Sequence, residues 1–295
     1  MILLINGQVG GVGKSTLSRL ILEYFICKKL DNYLLFDLDV TKSDVGAVYD
    51  PVNYSRTTDD KDKQKKGLGE QSEDKDDHSN SQSIKDRLIR FTDNRHDLAK
   101  VDILFDEGMS KNVVANLPAN IDESLDAWLT ENGLIDLALM LEMNFINAFV
   151  VSKQPNCVDL FCKTVNKYGN NKGMQHVLVY NQKADGVTFE EFKAQNSELT
   201  ELLQHYKNEN CPIVEMTMPV LNQRYYDLVL NQKITFSNAI KHESGLGLIT
   251  RQAIANFVKT SNNSLEEMFT SLGVDLNNPQ AKRAATEISL EVADV

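Results

Sequence analysis

The chain has 295 residues, 42% of them hydrophobic and 25% charged, which provides enough apolar material for a buried core and excludes a wholly disordered polypeptide. Its formal net charge of −11, from 31 Lys and Arg against 42 Asp and Glu, argues against holding nucleic acid by overall electrostatic attraction. Four cysteines, Cys27, Cys157, Cys162 and Cys211, stand at wide, irregular spacings without a CxxC pair, which speaks against a disulfide framework or a structural zinc.

Short apolar runs at 2–6, 33–37, 101–106, 145–151, 175–181 and 212–216 alternate with longer stretches of helical pattern. The runs lack polar alternation, as strands of a parallel sheet covered on both faces do. The expected fold is therefore an α/β, doubly wound, mostly parallel sheet with helices on both faces. Residues 1–272 would form this domain. From Ser55 to Ser83 the only large apolar residue is Leu68, so 55–83 is expected to be a flexible, solvated insertion. Residues 273–295 read as a polar, acidic tail. The first residues lack the basic flank and cleavage site of a secretory signal, and no apolar run approaches the roughly 20 residues that cross a bilayer. A cytoplasmic setting, where thiols stay reduced, is expected.

The most informative stretch follows the first run: Asn6-Gly-Gln-Val-Gly-Gly-Val-Gly-Lys-Ser-Thr16, ahead of an amphipathic helix over 17–30. Glycines at 10, 11 and 13 allow turns that bring backbone N–H groups onto phosphate oxygens, and the helix that follows points its positive end there. Gly10, Gly11, Val12, Gly13, Lys14, Ser15 and Thr16 form the candidate nucleotide-binding set. Lys14 would reach the β and γ phosphates, and the Ser15 hydroxyl would ligate Mg²⁺.

With these residues the sequence resembles the ParA/MinD group of P-loop ATPases, whose box reads Lys-Gly-Gly-Val-Gly-Lys-Thr. Gly10, Gly11, Gly13, Lys14 and Ser15 match it, while Val9 stands where that family has its signature lysine and Gln8 where the ordinary spacing wants glycine. The resemblance implies ATP and Mg²⁺ as ligands, and a nucleotide-dependent homodimer. Val9 removes the lysine that reaches across such a dimer, a departure similar to that in plasmid-borne proteins of conjugation and stability.

The run at 33–37 continues as Leu35-Phe-Asp-Leu-Asp39, similar to the Asp-x-Asp of the family's first switch. By that resemblance Asp39 would orient the attacking water and join the metal site, and Asp37 would support the Mg²⁺ shell. The run Val101-Asp-Ile-Leu-Phe-Asp-Glu107 looks like a Walker B strand, with Asp106 a metal ligand and Glu107 either a second candidate base or a solvated loop carboxylate. Lys42, in the switch loop, could supply the charge that Val9 lacks. At the base end, Asn181 fits the asparagine that contacts the adenine edge, where a carboxamide offers both donor and acceptor. Pro219 resembles the family's base-packing proline.

Trp128, and the helical patterns over 126–132 and 134–143, read as core. The pattern over 246–259 reads as a last helix packed on the sheet in preference to a membrane-surface helix, because only Arg251 and Lys259 accompany it. Lys233, Lys241, Arg251 and Lys259 are the residues open to a nucleic-acid role, against an adverse overall charge. The leading expectation is a Mg²⁺-dependent, slow ATPase whose nucleotide state controls self-association or binding of an adaptor or cargo protein in plasmid partition, plasmid maintenance or cargo positioning. The alternatives are a nucleotide-bound clamp that hardly hydrolyses, and a P-loop kinase using Asp39 or Glu107 as substrate base.

Overall fold

The computed structural model describes residues 1–39, 44–50, 91, 99–182, 186–209 and 213–278. The expected insertion at 55–83, Lys42, and the tail beyond 278 lie outside these residues. Among the described residues six strands, β1 (Ile2–Asn6), β2 (Tyr33–Asp37), β3 (Asn112–Asn116), β4 (Phe145–Val151), β5 (Gln175–Asn181) and β6 (Val214–Met218), form one sheet in the order β2-β3-β1-β4-β5-β6. Every pairing is parallel, with Ile5 opposite both Asn116 and Ala148. β1 is thus central, and its C-terminal end opens where the chain leaves first for one edge of the sheet and later for the other, the place where such folds bind ligands.

Alternation along β1 sends side chains into two cores. Leu3 and Ile5 join Leu17, Ile21 and Phe25 of α1 (Lys14–Cys27) and Ile254, Leu265 and Phe269 of the long last helix Leu248–Ser271. Ile2 and Leu4 join Leu104, Phe105, Trp128 and Leu134 on the other face. Covering both faces explains the absence of polar alternation. The last helix packs on the sheet side, as its apolar spacing suggests, although Leu248 and Ile249 at its start stay 73% and 77% exposed. Packing continues past 272, because Leu276 is buried and its carbonyl accepts a hydrogen bond from Asn112 Nδ2 at 2.8 Å. No described helix is long and apolar enough to cross a membrane.

One expected strand is a helix. Residues 101–106 form a 3₁₀ turn (Ala99–Asp102) running into the short helix Ile103–Gly108. Val101, Leu104, Phe105 and Gly108 are buried, a spacing of three and four that matches a helix face, while Asp106 is exposed. The third strand comes later, as Asn112-Val-Val-Ala-Asn116. Its flanking asparagines hide a run of three apolar residues.

The consequence reaches the site. The Met1 amino group, at the start of β1, donates to Gly108 O at 2.8 Å and Lys111 O at 3.0 Å. Asp106 and Glu107 therefore sit by the N-terminal edge of the sheet, about 15 Å of strand from where the glycine-rich loop leaves β1. Glu107 instead pairs with Lys111 at 2.7 Å, one helical turn on. The Walker B reading of Asp106 as metal ligand and Glu107 as base is corrected on this ground.

Candidate functional site

The loop between β1 and α1 is shaped by its glycines. Gly13 caps α1 with φ of 114°, and a Cβ there would come 2.3 Å from Asn181 Nδ2. That amide instead donates to Val12 O at 2.7 Å, so the end of β5 braces the loop. Gly11 also has a left-handed φ, 74°, and stands exposed beside Gly10. No side chain caps the start of α1, which leaves its first N–H groups directed at the loop's concavity.

Lys14 is buried, and its Nζ donates to Gly7 O at 2.6 Å. Burial pushes its pKa down, while the negative charge of Asp39 works against that shift. Gly10, Lys14, Ser15, Thr16, Asp39 and Asp44 line one cavity of about 360 Å³. This compartment holds the expected catalytic Lys14 and Asp39 together with the expected metal ligand Ser15. Asp37 is set back from it. It is fully buried, its oxygens accept from Gly46 N–H at 2.9 Å and from Asn116 Nδ2 at 2.8 Å, and burial raises its pKa to about 6 despite those donors.

β3 lies between β1 and β2, so its C-terminal end stands beside the glycine-rich loop that leaves β1. Here the residue is Asn116, a neutral amide bound to Asp37 and, through its Oδ1, to the Ser18 hydroxyl at 3.0 Å. The described residues hold no cluster of three or more His, Cys, Asp or Glu able to cage a metal. The oxygen-bearing side chains on the first cavity are Ser15, Thr16, Asp39 and Asp44, and Mg²⁺ needs only one or two protein ligands beside phosphate oxygens and waters. Among them are the expected metal ligands Ser15 and Asp39.

A second cavity of about 290 Å³ adjoins the first, sharing Gly11, Gly13 and Thr16. Its walls include Asn181, Met218, Pro219, Tyr226 and Phe257. The two expected base-contacting residues, Asn181 and Pro219, are thus brought to one cleft beside the phosphate loop.

No protein-family model matches the chain, and no curated protein matches it in sequence. Among solved structures, the MinD cell division protein of Aquifex aeolicus is similar at 14% identity, with a TM-score of 0.43 over 88% of this chain and 95% of that one. The MinC:MinD cell division protein complex of the same organism gives 14% identity and 0.43 over 88% and 94%. The likeness is distant and concerns fold.

Sequence reasoning missed Asp44, Asn116 and Tyr226. Asn116 was hidden by the misplaced third strand. Asp44 follows Asp39 by five residues, and Tyr226 carries no local signal, because only the fold brings it to the loop. α1 also carries two buried charges. Arg19, 1% exposed, binds the carbonyl of Asp44 at 2.9 Å and its carboxylate at 3.4 Å. Glu23, 1% exposed, accepts from Tyr49 Oη at 2.7 Å and from the backbone and hydroxyl of Ser237.

Proposed function

We propose that this protein binds a purine nucleoside triphosphate with Mg²⁺, ATP in the first instance, and is a slow ATPase of the ParA/MinD type. The carrying observation is the glycine loop at the C-terminal end of the central parallel strand, with Lys14, Ser15 and Asp39 around one cavity and Asn181 and Pro219 around the adjoining one. The first cavity accepts the triphosphate tail on backbone N–H groups and Lys14; the second accepts the nucleoside. Bound Mg²⁺ would neutralise charge between the β and γ phosphates, with Ser15 and Asp39 as its protein ligands. Asp39 would also orient the attacking water, and Lys14 would stabilise charge on the phosphates.

Nucleotide state would then govern association of the protein with a second copy or with an adaptor or cargo, in plasmid maintenance or cargo positioning. A clamp that hardly hydrolyses is the second reading. Two observations favour it: Val9 packs against the core where the family carries a lysine, and Asn116 ends β3 without a carboxylate. Calorimetric titration with ATP, ADP and GTP in Mg²⁺, with the mass of each complex and phosphate release, tests both. ATP binding with measurable release supports the ATPase, and binding without release supports the clamp. Absence of binding by any nucleotide refutes both.

A further inference from the structure

Tyr226 lies on the helix Gln223–Gln232, far from every motif of the phosphate loop in sequence, yet its hydroxyl is 2.9 Å from Thr16 Oγ1. Thr16 is shared by the two cavities. If the β and γ phosphates and the metal occupy the cavity with Lys14, Ser15 and Asp39, the nucleoside lies in the other, and the phosphate next to the sugar falls at the boundary. Thr16 stands at that boundary, and Tyr226 touches it from the wall of the second cavity. We infer that Tyr226 is a positioning residue of the nucleotide site, whose phenol donates to Thr16 Oγ1 and so directs the threonine proton to the sugar-proximal phosphate. The inference rests on the nucleotide reading above and adds a residue and a role to it.

The surroundings fit the role. Tyr226 is held by Phe236, with ring centroids 6.1 Å apart, and Phe236 by Phe257 at 5.5 Å, so the phenol is placed before any ligand arrives. Burial raises the pKa of Tyr226, which keeps the phenol protonated and able to donate at neutral pH. A hydroxyl that accepts one hydrogen bond donates a stronger one, so a phenol–threonine–phosphate chain gains from both links. A neutral donor also adds no charge beside Lys14.

Phe keeps the ring and deletes the donor, so ADP titration of Tyr226→Phe isolates the hydroxyl. The expected result is a Kd about three- to tenfold weaker than that of the parent, the range of one hydrogen bond. The same substitution in a Thr16→Ser background should retain that loss, and in a Thr16→Val background should produce none, because the relay is already cut. A purely structural tyrosine would weaken binding equally in all three backgrounds, and that outcome overturns the inference, as does unchanged ADP affinity in the single variant. If the parent binds neither ADP nor ATP, the nucleotide reading fails and this inference with it. If the parent binds while Tyr226→Phe matches it, only the inference fails.

Discussion

Gly13→Ala tests whether the loop geometry underlies the proposed phosphate binding. The added Cβ would meet Asn181 Nδ2 at 2.3 Å and Met218 Cε at 3.1 Å, on a backbone with φ of 114°. Forcing alanine into that conformation costs about 1–3 kcal/mol. Displacing Asn181 forfeits its 2.7 Å bond to Val12 O, about 1 kcal/mol more. The sum is about 2–4 kcal/mol, which for a chain of this size lowers Tm by about 3–7 °C. Thermal unfolding without nucleotide reads this cost, and the further rise in Tm with Mg²⁺-ATP, expected to shrink towards zero in the variant, reads the lost cradle. Pairing Gly13→Ala with Asn181→Ala removes the collision but not the backbone strain, so the double variant should fall short of the summed costs by about 1 kcal/mol. A Gly13→Ala protein melting within about 1 °C of the parent, with equal ATP protection, would refute the reasoning.

Further outcomes are expected. Glu107→Gln should leave phosphate release at the parent rate, whereas Asp39→Asn should bind ATP within about threefold and release phosphate at least about tenfold more slowly; equal slowing in both variants would reinstate the acidic pair after Phe105 as part of the site. Lys14→Ala should abolish ATP protection in thermal unfolding, and full protection would remove Lys14 from the phosphate site. Burial holds His176 at a pKa of about 4, below the ordinary 6.5, so the unfolded chain takes up a proton between those values that the folded chain refuses. Stability is then complete above about pH 6.5 and lost as pH falls towards 4, by up to about 3 kcal/mol. Asp37, raised to about 6, works in the opposite sense over part of that window, so the comparison is with His176→Phe. Urea midpoints at pH 4.5 and 7.5 should differ less in that variant, and an identical acid loss would exclude His176 as the cause.

Most of the architecture was legible because a buried parallel strand is a short, unbroken apolar run. The runs at 33–37, 145–151 and 175–181 mark β2, β4 and β5, with β1 at 2–6. The last run, expected at 212–216, is observed as Val214–Met218. The third strand failed because length alone cannot separate six apolar-rich residues of helix from strand. Val101, Leu104 and Phe105 obey the helical spacing, and the true β3, bracketed by Asn112 and Asn116, looks polar. Half the site followed from contiguous residues, since Gly10 to Thr16 carry their chemistry in their order. Asn116, Asp44 and Tyr226 carry theirs only in space, and Asn116 even reverses the expectation, placing an amide where an aspartate was sought.

Arg19 and Glu23 stand one turn apart on α1, each anchoring a distant piece of chain: Arg19 holds Asp44, Glu23 holds Tyr49 and Ser237. A rod gripped this way along its flank must give up those contacts to roll or slide alone. Direct contacts therefore tie this helix to the stretch after β2 and to the approach of the final helix. Residues far apart along the polypeptide thereby share one mechanical axle.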